Sequence, residues 1–525
     1  AIAVCAASLL AAQTVATADP TITPPPMAIA SSATSPLAAA TTQSASAGRT
    51  WVWPYFAVTD GDAYDKPALR VLGPAGSTFT DPVFQSTITR VTDADTRPGT
   101  PDVSYRTPSS PQQNAWSASG SYFYVTSTDG SIVPFAFDAT TGTATRIQST
   151  TSGAGGLLLN FYIEPQFSYV NDSIIYGSVA DGDLHTIDQY DFSAVGQYTQ
   201  IIDLETIVSG LSGTFIGGIG SSDGPDERIM AMFGGTGQNL HHLVIVFSRA
   251  NPANYSLVDT WASTMNGDPT ASILNFSLHH VAIDRSGRYL MLYPTEDDQT
   301  GPRQAPQAVL WDTQTDTFTE MTADMHPYGH DAFGYGVWVN QDCCTSTPTW
   351  DAVEWQFRNL NAPTATRDVL PTVLQPEELD VDSHSTWNNA TPDGAAPFIS
   401  ATLRYGASLD GPWRALDDEI VAIQANAPGL DPTIWRFAHH RSDVTDDSDP
   451  SNTAFWYEPR PNVSHDGQWV LFTSNWEKTL GTDPRGDAAT MARQDVFLVQ
   501  LATSGPTTVA ATASTPGRTH GGVPR

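Results

Sequence analysis

Lysine is almost missing from this sequence. Of 24 basic residues two are Lys and the rest Arg, set against 56 acidic residues that are mostly Asp. The net charge of −32 repels polyanions and excludes nucleic acid and anionic membrane surfaces as partners. Asp serves turns and caps where Glu serves helix interiors, so the excess fits a chain of many β-turns, and it also fits calcium binding or a salty habitat. Cysteine is nearly as scarce, with three residues, Cys5 and the adjacent Cys343 and Cys344. A fold stapled by many disulfides is therefore excluded. No run reaches the roughly 18 apolar residues a spanning helix needs, so membrane insertion is not expected. Amphipathic helical periodicity is scarce too, and the 38 Pro and 40 Gly point to short segments separated by turns.

Residues 1–12 are apolar and are followed by Ala16-Thr17-Ala18, the form of a secretory signal ending in a cleavage site. Residues 1–18 therefore read as a signal remnant and the protein as secreted and extracellular. In that oxidising setting Cys343 and Cys344 are expected to form a vicinal disulfide, the alternative being two reduced thiols. Residues 19–50, rich in Pro, Ser, Thr and Ala, read as a flexible linker, 51–503 as the folded domain and 504–525 as a disordered tail.

Within the domain, alternating β-type runs are separated by clusters of Gly, Asp, Asn and Ser, which makes the fold all-β. One unit recurs. It is plainest at Arg460-Pro461-Asn462-Val463-Ser464-His465-Asp466-Gly467 before Gln468–Ser474, at His280–Gly287 before Arg288–Leu292, and at Gln113–Gly120 before Ser121–Val125. Weaker copies begin at Glu164, Gly217, His330 and His384. From 113, 164, 217, 280, 330, 384 and 460 the successive differences are 51, 53, 63, 50, 54 and 76 residues, periods of the size of one propeller blade. Each unit carries up to four strands, so the sequence predicts a seven-bladed β-propeller of four-stranded blades. The last unit shows only three strands, and Ser86–Thr92 is expected to supply its outer one and hide a sheet edge.

The aligned units place Gln113, Glu164, Gly217, His280, His330, His384 and Arg460 at one position, the start of the innermost strand. Such positions form a ring around the axial channel. Three imidazoles with Gln113 and Glu164 suit a divalent metal (manganese, calcium or zinc), and one imidazole can alternatively serve as a general base. The bland alternative is a repeat that favours His there for hydrogen bonding to the next blade. Nearby loops add Tyr335 and Trp338, which can stack on a sugar or pack the core, together with Trp387, His439 and Arg441. Arg441 suits bidentate carboxylate binding or pairing with a surface acid. His330, His384, Tyr335 and Arg441 are the catalytic candidates, Trp387, Arg460 and His439 the substrate-binding ones. Sialidase Asp boxes and a Gly-x-Ser-x-Gly elbow are absent, which argues against sialidase, peptidase and esterase chemistry.

The units resemble the Ser-Pro-Asp-Gly repeats of TolB-type propellers, and the last is similar to the C-terminal blade of oligogalacturonate lyases. That resemblance implies a propeller-face metal held by His and Gln, a basic residue on a uronate carboxylate, and β-elimination after loss of the C5 proton. The expected partner is a carbohydrate, an oligosaccharide rather than a long polyanion, bound by a monomer. The competing expectation is a non-catalytic secreted or cell-surface binding propeller.

Overall fold

The computed structural model describes residues 53–99, 103–110, 112–148, 156–179, 185–193, 197–208, 211, 214–224, 226–235, 242–270, 274–295, 308–321, 326–342, 354–374, 381–404, 412–445, 453–483, 485 and 491–501. The expected signal, the whole of the expected linker, the tail and all three cysteines lie outside the described residues.

Seven antiparallel sheets follow one another along the chain. Their inner and outermost strands are Tyr105–Arg106 and Thr143–Arg146 in blade 1, Gln166–Phe167 and Tyr198–Asp203 in blade 2, and Leu278–Ile283 and Thr317–Glu320 in blade 4. Blade 5 runs from His326–Phe333 to Thr366–Asp368 and blade 6 from Val381–Thr386 to Thr433–His439. These five blades have four strands each. Blade 3 begins at Thr214–Ser221 and carries two additional short strands beyond Asn251–Asp259. In blade 7 the inner strand Asn462–Val463 and the strand Asp495–Gln500 are followed by Thr87–Arg90, with Thr78–Thr80 outside it. The predicted seven-bladed propeller is therefore observed, and its ring is closed by the segment expected to do so.

The repeat is a turn between the first two strands of a blade. Ser464 Oγ accepts from the Trp469 amide at 3.1 Å while Gly467 adopts φ 74°. In blade 4 Asp284 accepts from the Tyr289 amide at 2.9 Å and Gly287 has φ 74°. In blade 1 Ser117 accepts from the Tyr122 amide at 3.1 Å and Gly120 has φ 75°. A short acceptor side chain ties down the strand's return, and glycine takes the left-handed conformation that a Cβ would oppose. Each of the seven interfaces between neighbouring blades has its own apolar cluster, as with Tyr105, Trp116, Phe123, Trp469 and Leu498 between blades 1 and 7. No single core exists, and each blade is stable only against its neighbours.

Closure is electrostatic as well as β-paired. Arg90 Nε donates to Asp495 Oδ2 at 3.1 Å, Asp495 is fully buried, and Arg493 also donates to it. Arg90→Ala leaves part of a buried carboxylate unsatisfied and should cost about 1–3 kcal/mol, read as a lower urea midpoint. Arg485→Ala, at a half-exposed side chain, should change it by less than about 0.5 kcal/mol. Equal midpoints for wild type and Arg90→Ala would show that the closure strand does not depend on this ion pair.

Candidate functional site

Chain direction puts two different kinds of loop at the two ends of the channel. The short repeat turns lie at one end. The other end, here called the mouth, is where second strands end and third strands begin, as at Pro294 and Val309, Arg404 and Glu419, and Ser474 and Asp495.

Near the mouth the inner strands are irregular in six of seven blades. Blade 1 pairs at Tyr105 and Arg106, leaves the sheet, and rejoins where the Tyr124 amide bonds Ala115 O at 3.1 Å. Blade 2 is interrupted by a 3₁₀ turn, Phe161–Ile163, and by Glu164 at φ 47°. The register slips between Ile216 and Gly218 in blade 3, Leu278 and His280 in blade 4, and His326 and Asp331 in blade 5. In blade 7 Thr473 bonds the carbonyl of Pro459 at 2.7 Å and Arg460 has φ 34°. Blade 6 alone is regular. In those six blades the aligned positions thus sit at or beside breaks or bulges, which re-aim side chains away from ordinary sheet packing, while His384 lies in a regular ladder.

Two polar circuits occupy this level. In the first, His330 and His384 stack with ring centres 4.7 Å apart and 19° between planes. His330 Nδ1 lies 2.7 Å from Ser383 O and 2.9 Å from Asp382 Oδ1. His384 Nε2 meets Glu458 Oε2 at 2.7 Å, and Arg460 Nη2 donates to the same oxygen at 3.0 Å. Burial alone would lower His330, but the negative charge and hydrogen bond of Asp382, reinforced by Glu458, raise it to about 9. Burial lowers the basicity of Arg460, whose Nε is enclosed without a hydrogen-bond partner.

In the second, the Gln112 side chain crosses from blade 1 to blades 4 and 5. Its carbonyl meets His280 Nε2 at 2.6 Å and its amide donates to Asp331. Asp331 also accepts from the Tyr293 hydroxyl and, at 2.8 Å, from Trp338 Nε1. Burial pushes Asp331 up to about 7 against the pull of these donors. Burial, and then the charge of His279, lower His280 to about 3. Gln113 and Glu164 meet between these circuits: the Gln113 amide donates to Glu164 O, and the Glu164 carboxylate accepts from the Ser109 and Ser110 amides. Burial raises Glu164 above the usual carboxylate range.

The other predicted residues do not join this belt. Tyr335 lies at the turn end, where its hydroxyl donates to Asp223 and Arg285 donates to the same carboxylate at 3.2 Å. The Arg285 guanidinium sits 3.2 Å from the Tyr169 ring centre, and the Tyr169 hydroxyl donates to Asn388 at 2.7 Å. His465 stacks on Tyr169 and bonds Asn114, and Asn388 reaches Asn462, so this network draws on all seven blades. Trp387 is 2 % exposed and donates to Ala396 O within the core between blades 5 and 6. Trp338 is fully buried and hydrogen-bonds the second circuit only through its indole N–H on Asp331. His439 is held by Asp81 at 3.0 Å, and Arg441 is bound to Glu477 at 2.9 Å and to Pro67 O at 2.8 Å, both beneath the N-terminal segment at the outer edge of blade 6. Arg441 thus takes the surface-acid alternative, with Glu477 as its partner.

Among the described residues, no three His, Cys, Asp or Glu are grouped so as to hold a metal ion. The reason is visible in the pairings, since His280 is turned to Gln112, His330 to Asp382 and His384 to Glu458. As placed, the expected donor set does not fit a divalent cation. Gln112, Asp331, Asp382 and Glu458 escaped the sequence reading. Asp382 and Glu458 each stand two residues before an aligned residue, which is the one local signal they gave.

No protein-family model matches the sequence. No curated protein matches it either. Solved structures do share the architecture. An oligogalacturonate lyase in complex with manganese is 12% identical with a TM-score of 0.49, covering 85% of this chain and 98% of that one. An oligogalacturonate lyase from Vibrio parahaemolyticus is 12% identical, TM-score 0.48, over 81% and 96%. The WD40 repeats of RRP9 are 10% identical, TM-score 0.38, over 76% and 97%. These likenesses concern fold alone. The class of this protein, a seven-bladed β-propeller, rests on its own sheets, and no helix among the described residues is long and apolar enough to cross a membrane.

Because His330 holds its proton more tightly when folded, the stability it contributes is fully present below its ordinary value of 6.5 and is lost as pH rises through about 9. The effect is on the order of 3 kcal/mol. Chemical denaturation across that range should show the loss in wild type, and Asp382→Asn should flatten it. A wild-type curve that is already flat would remove the assigned charge.

Proposed function

We propose that the protein is a secreted saccharide-active propeller acting at the channel mouth as a lyase or hydrolase on uronate-containing oligosaccharides. The observation that carries this reading is the stacked pair His330 and His384, each on its own carboxylate, beside Arg460. A cationic imidazole in contact with a second imidazole offers a proton donor and acceptor within one site. Asp382 and Glu458 keep part of their side chains exposed, so the pair adjoins open space.

In an elimination, Arg460 holds the uronate carboxylate and stabilises the charge that spreads into it when the C5 proton leaves. His384 accepts that proton, and Glu458 stabilises the imidazolium formed. The C5–H electrons become the C4=C5 double bond, the C4–O bond breaks, and His330 protonates the departing oxygen. No step is routed through a metal, because the donor set does not fit one. The net charge of −32 disfavours a long polyanion, and short oligomers meet less repulsion. A specific observation favours the second reading, a non-catalytic binding propeller: each imidazole of the belt is already paired within the protein.

Pectic, alginate, ulvan and glucuronoxylan oligomers should be screened for new near-ultraviolet absorbance from the conjugated double bond, with and without manganese. His330→Ala and His384→Ala are expected to lower kcat by about two to four orders of magnitude. Reducing ends without absorbance would assign a hydrolase. Binding without turnover would establish the second reading.

A further inference from the structure

The geometry points to Gln112 as a positioning residue that fixes the tautomer of His280 and so makes Nδ1 of that ring a hydrogen-bond acceptor for a saccharide hydroxyl. The choice of ligand rests on the function proposed above, whereas the tautomer assignment stands on its own.

Asp331 sets the orientation of Gln112. An indole N–H only donates, so Trp338 Nε1 at 2.8 Å requires Asp331 to accept there. The Tyr293 hydroxyl shares that oxygen with the indole, and in mildly alkaline solution, where this fully buried carboxyl group is ionised, its other oxygen accepts from the Gln112 amide. A terminal amide has one donating and one accepting side. With its NH₂ committed to Asp331, Gln112 turns its carbonyl to His280 Nε2 at 2.6 Å. A carbonyl has no proton to give, so Nε2 carries the hydrogen and the lone pair of the neutral ring lies on Nδ1.

The ring is held in that orientation by stacking on Tyr293, with centres 5.6 Å apart and 22° between planes. Tyr293 belongs to the same circuit, so His280, Gln112, Asp331 and Tyr293 close on themselves. Among the described residues nothing bonds Nδ1, and His280 keeps part of its surface exposed. The neighbouring inner strand, in blade 3, presents Gly217 and Gly218, both part-exposed and without side chains. A neutral, part-exposed acceptor suits a hydroxyl-bearing ring. Gln112 reaches blades 4 and 5 because the chain between Arg106 and Ala115 has left its sheet.

The test is nitrogen NMR on the full chain labelled with ¹⁵N-histidine in mildly alkaline buffer, the His280 signals being assigned by their loss in His280→Asn. Wild type should show the Nε2–H form, and Gln112→Leu a mixture of both neutral tautomers. Adding galacturonate oligomers should displace the Nδ1 resonance, and Gln112→Leu should weaken their binding about tenfold. Wild type with the proton on Nδ1 or on both nitrogens overturns the assignment, as does a Gln112→Leu protein that keeps the wild-type form. Should that variant not fold, the wild-type signal decides alone. Turnover of the oligomers with an unmoved His280 resonance overturns the acceptor role and leaves the proposed function standing. Absence of both turnover and displacement removes the two together.

Discussion

A propeller ring exists only if its ends meet, and here the meeting is made by four residues. Thr87–Arg90 pairs with the strand Asp495–Gln500, so that about 400 residues of intervening chain close on one antiparallel ladder. Arg90 and Arg493 neutralise Asp495 inside that seam. Every inner strand takes its distance from the axis from this closure, and with it every contact across the channel. Opening blade 7 would therefore affect blades 4 and 5 through Gln112, although neither borders the seam.

Closure creates a second constraint. Seven strand starts converge on an axis too narrow for ordinary sheet packing, and the polar side chains aimed there need partners. The chain meets this by breaking its own ladders. Breaks and bulges in six inner strands free Gln112, Glu164, His330 and Arg460 from strict alternation; Gln112, Glu164 and His330 bond residues of other blades, while Arg460 bonds Glu458 two residues before it. At the turn end the inner strands run out into a different network, where Arg285 lies between Tyr169 and Asp223 and neighbouring blades are tied by aromatic stacking and hydrogen bonds. The two ends differ in their pairing: imidazoles held by carboxylates and an amide at the mouth, and at the other end an Arg285–Asp223 pair set among Tyr169, Tyr335, His465 and side-chain amides.

The belt holds imidazoles in opposite states for physical reasons that can be separated. His280 faces an amide carbonyl and a second histidine, with no negative partner to offset burial, and stays neutral. His330 has Asp382 against its ring and stays charged. A difference made by neighbours rather than by residue type lets one fold place a donor and an acceptor within a single channel. The overall excess of acid does not set these states; the immediate partners do.

Much of the fold was legible in the chain because its signals are local. A Ser or Asp that ties back the amide five residues on, with Gly at the turn, is a short-range hydrogen-bonding pattern, and its recurrence at blade-sized intervals counted the blades. The edge left by three strands in the last unit likewise called for Ser86–Thr92. The same repeat brought Gln113, Glu164, His280, His330, His384 and Arg460 to one level. It did not say what each would touch. Asp382 pairs with a histidine of the preceding blade, Gln112 spans to blades 4 and 5, and Trp387 turns into an interblade core while Tyr335 ends at the opposite face. Such contacts depend on where ladders slip and on the ring being closed, so they are properties of the assembled propeller rather than of any stretch of sequence. The sequence alone determined the blades, their order and the level of the belt. Tertiary structure decided the partners, because hydrogen bonds across an axis are made between residues that no local pattern relates.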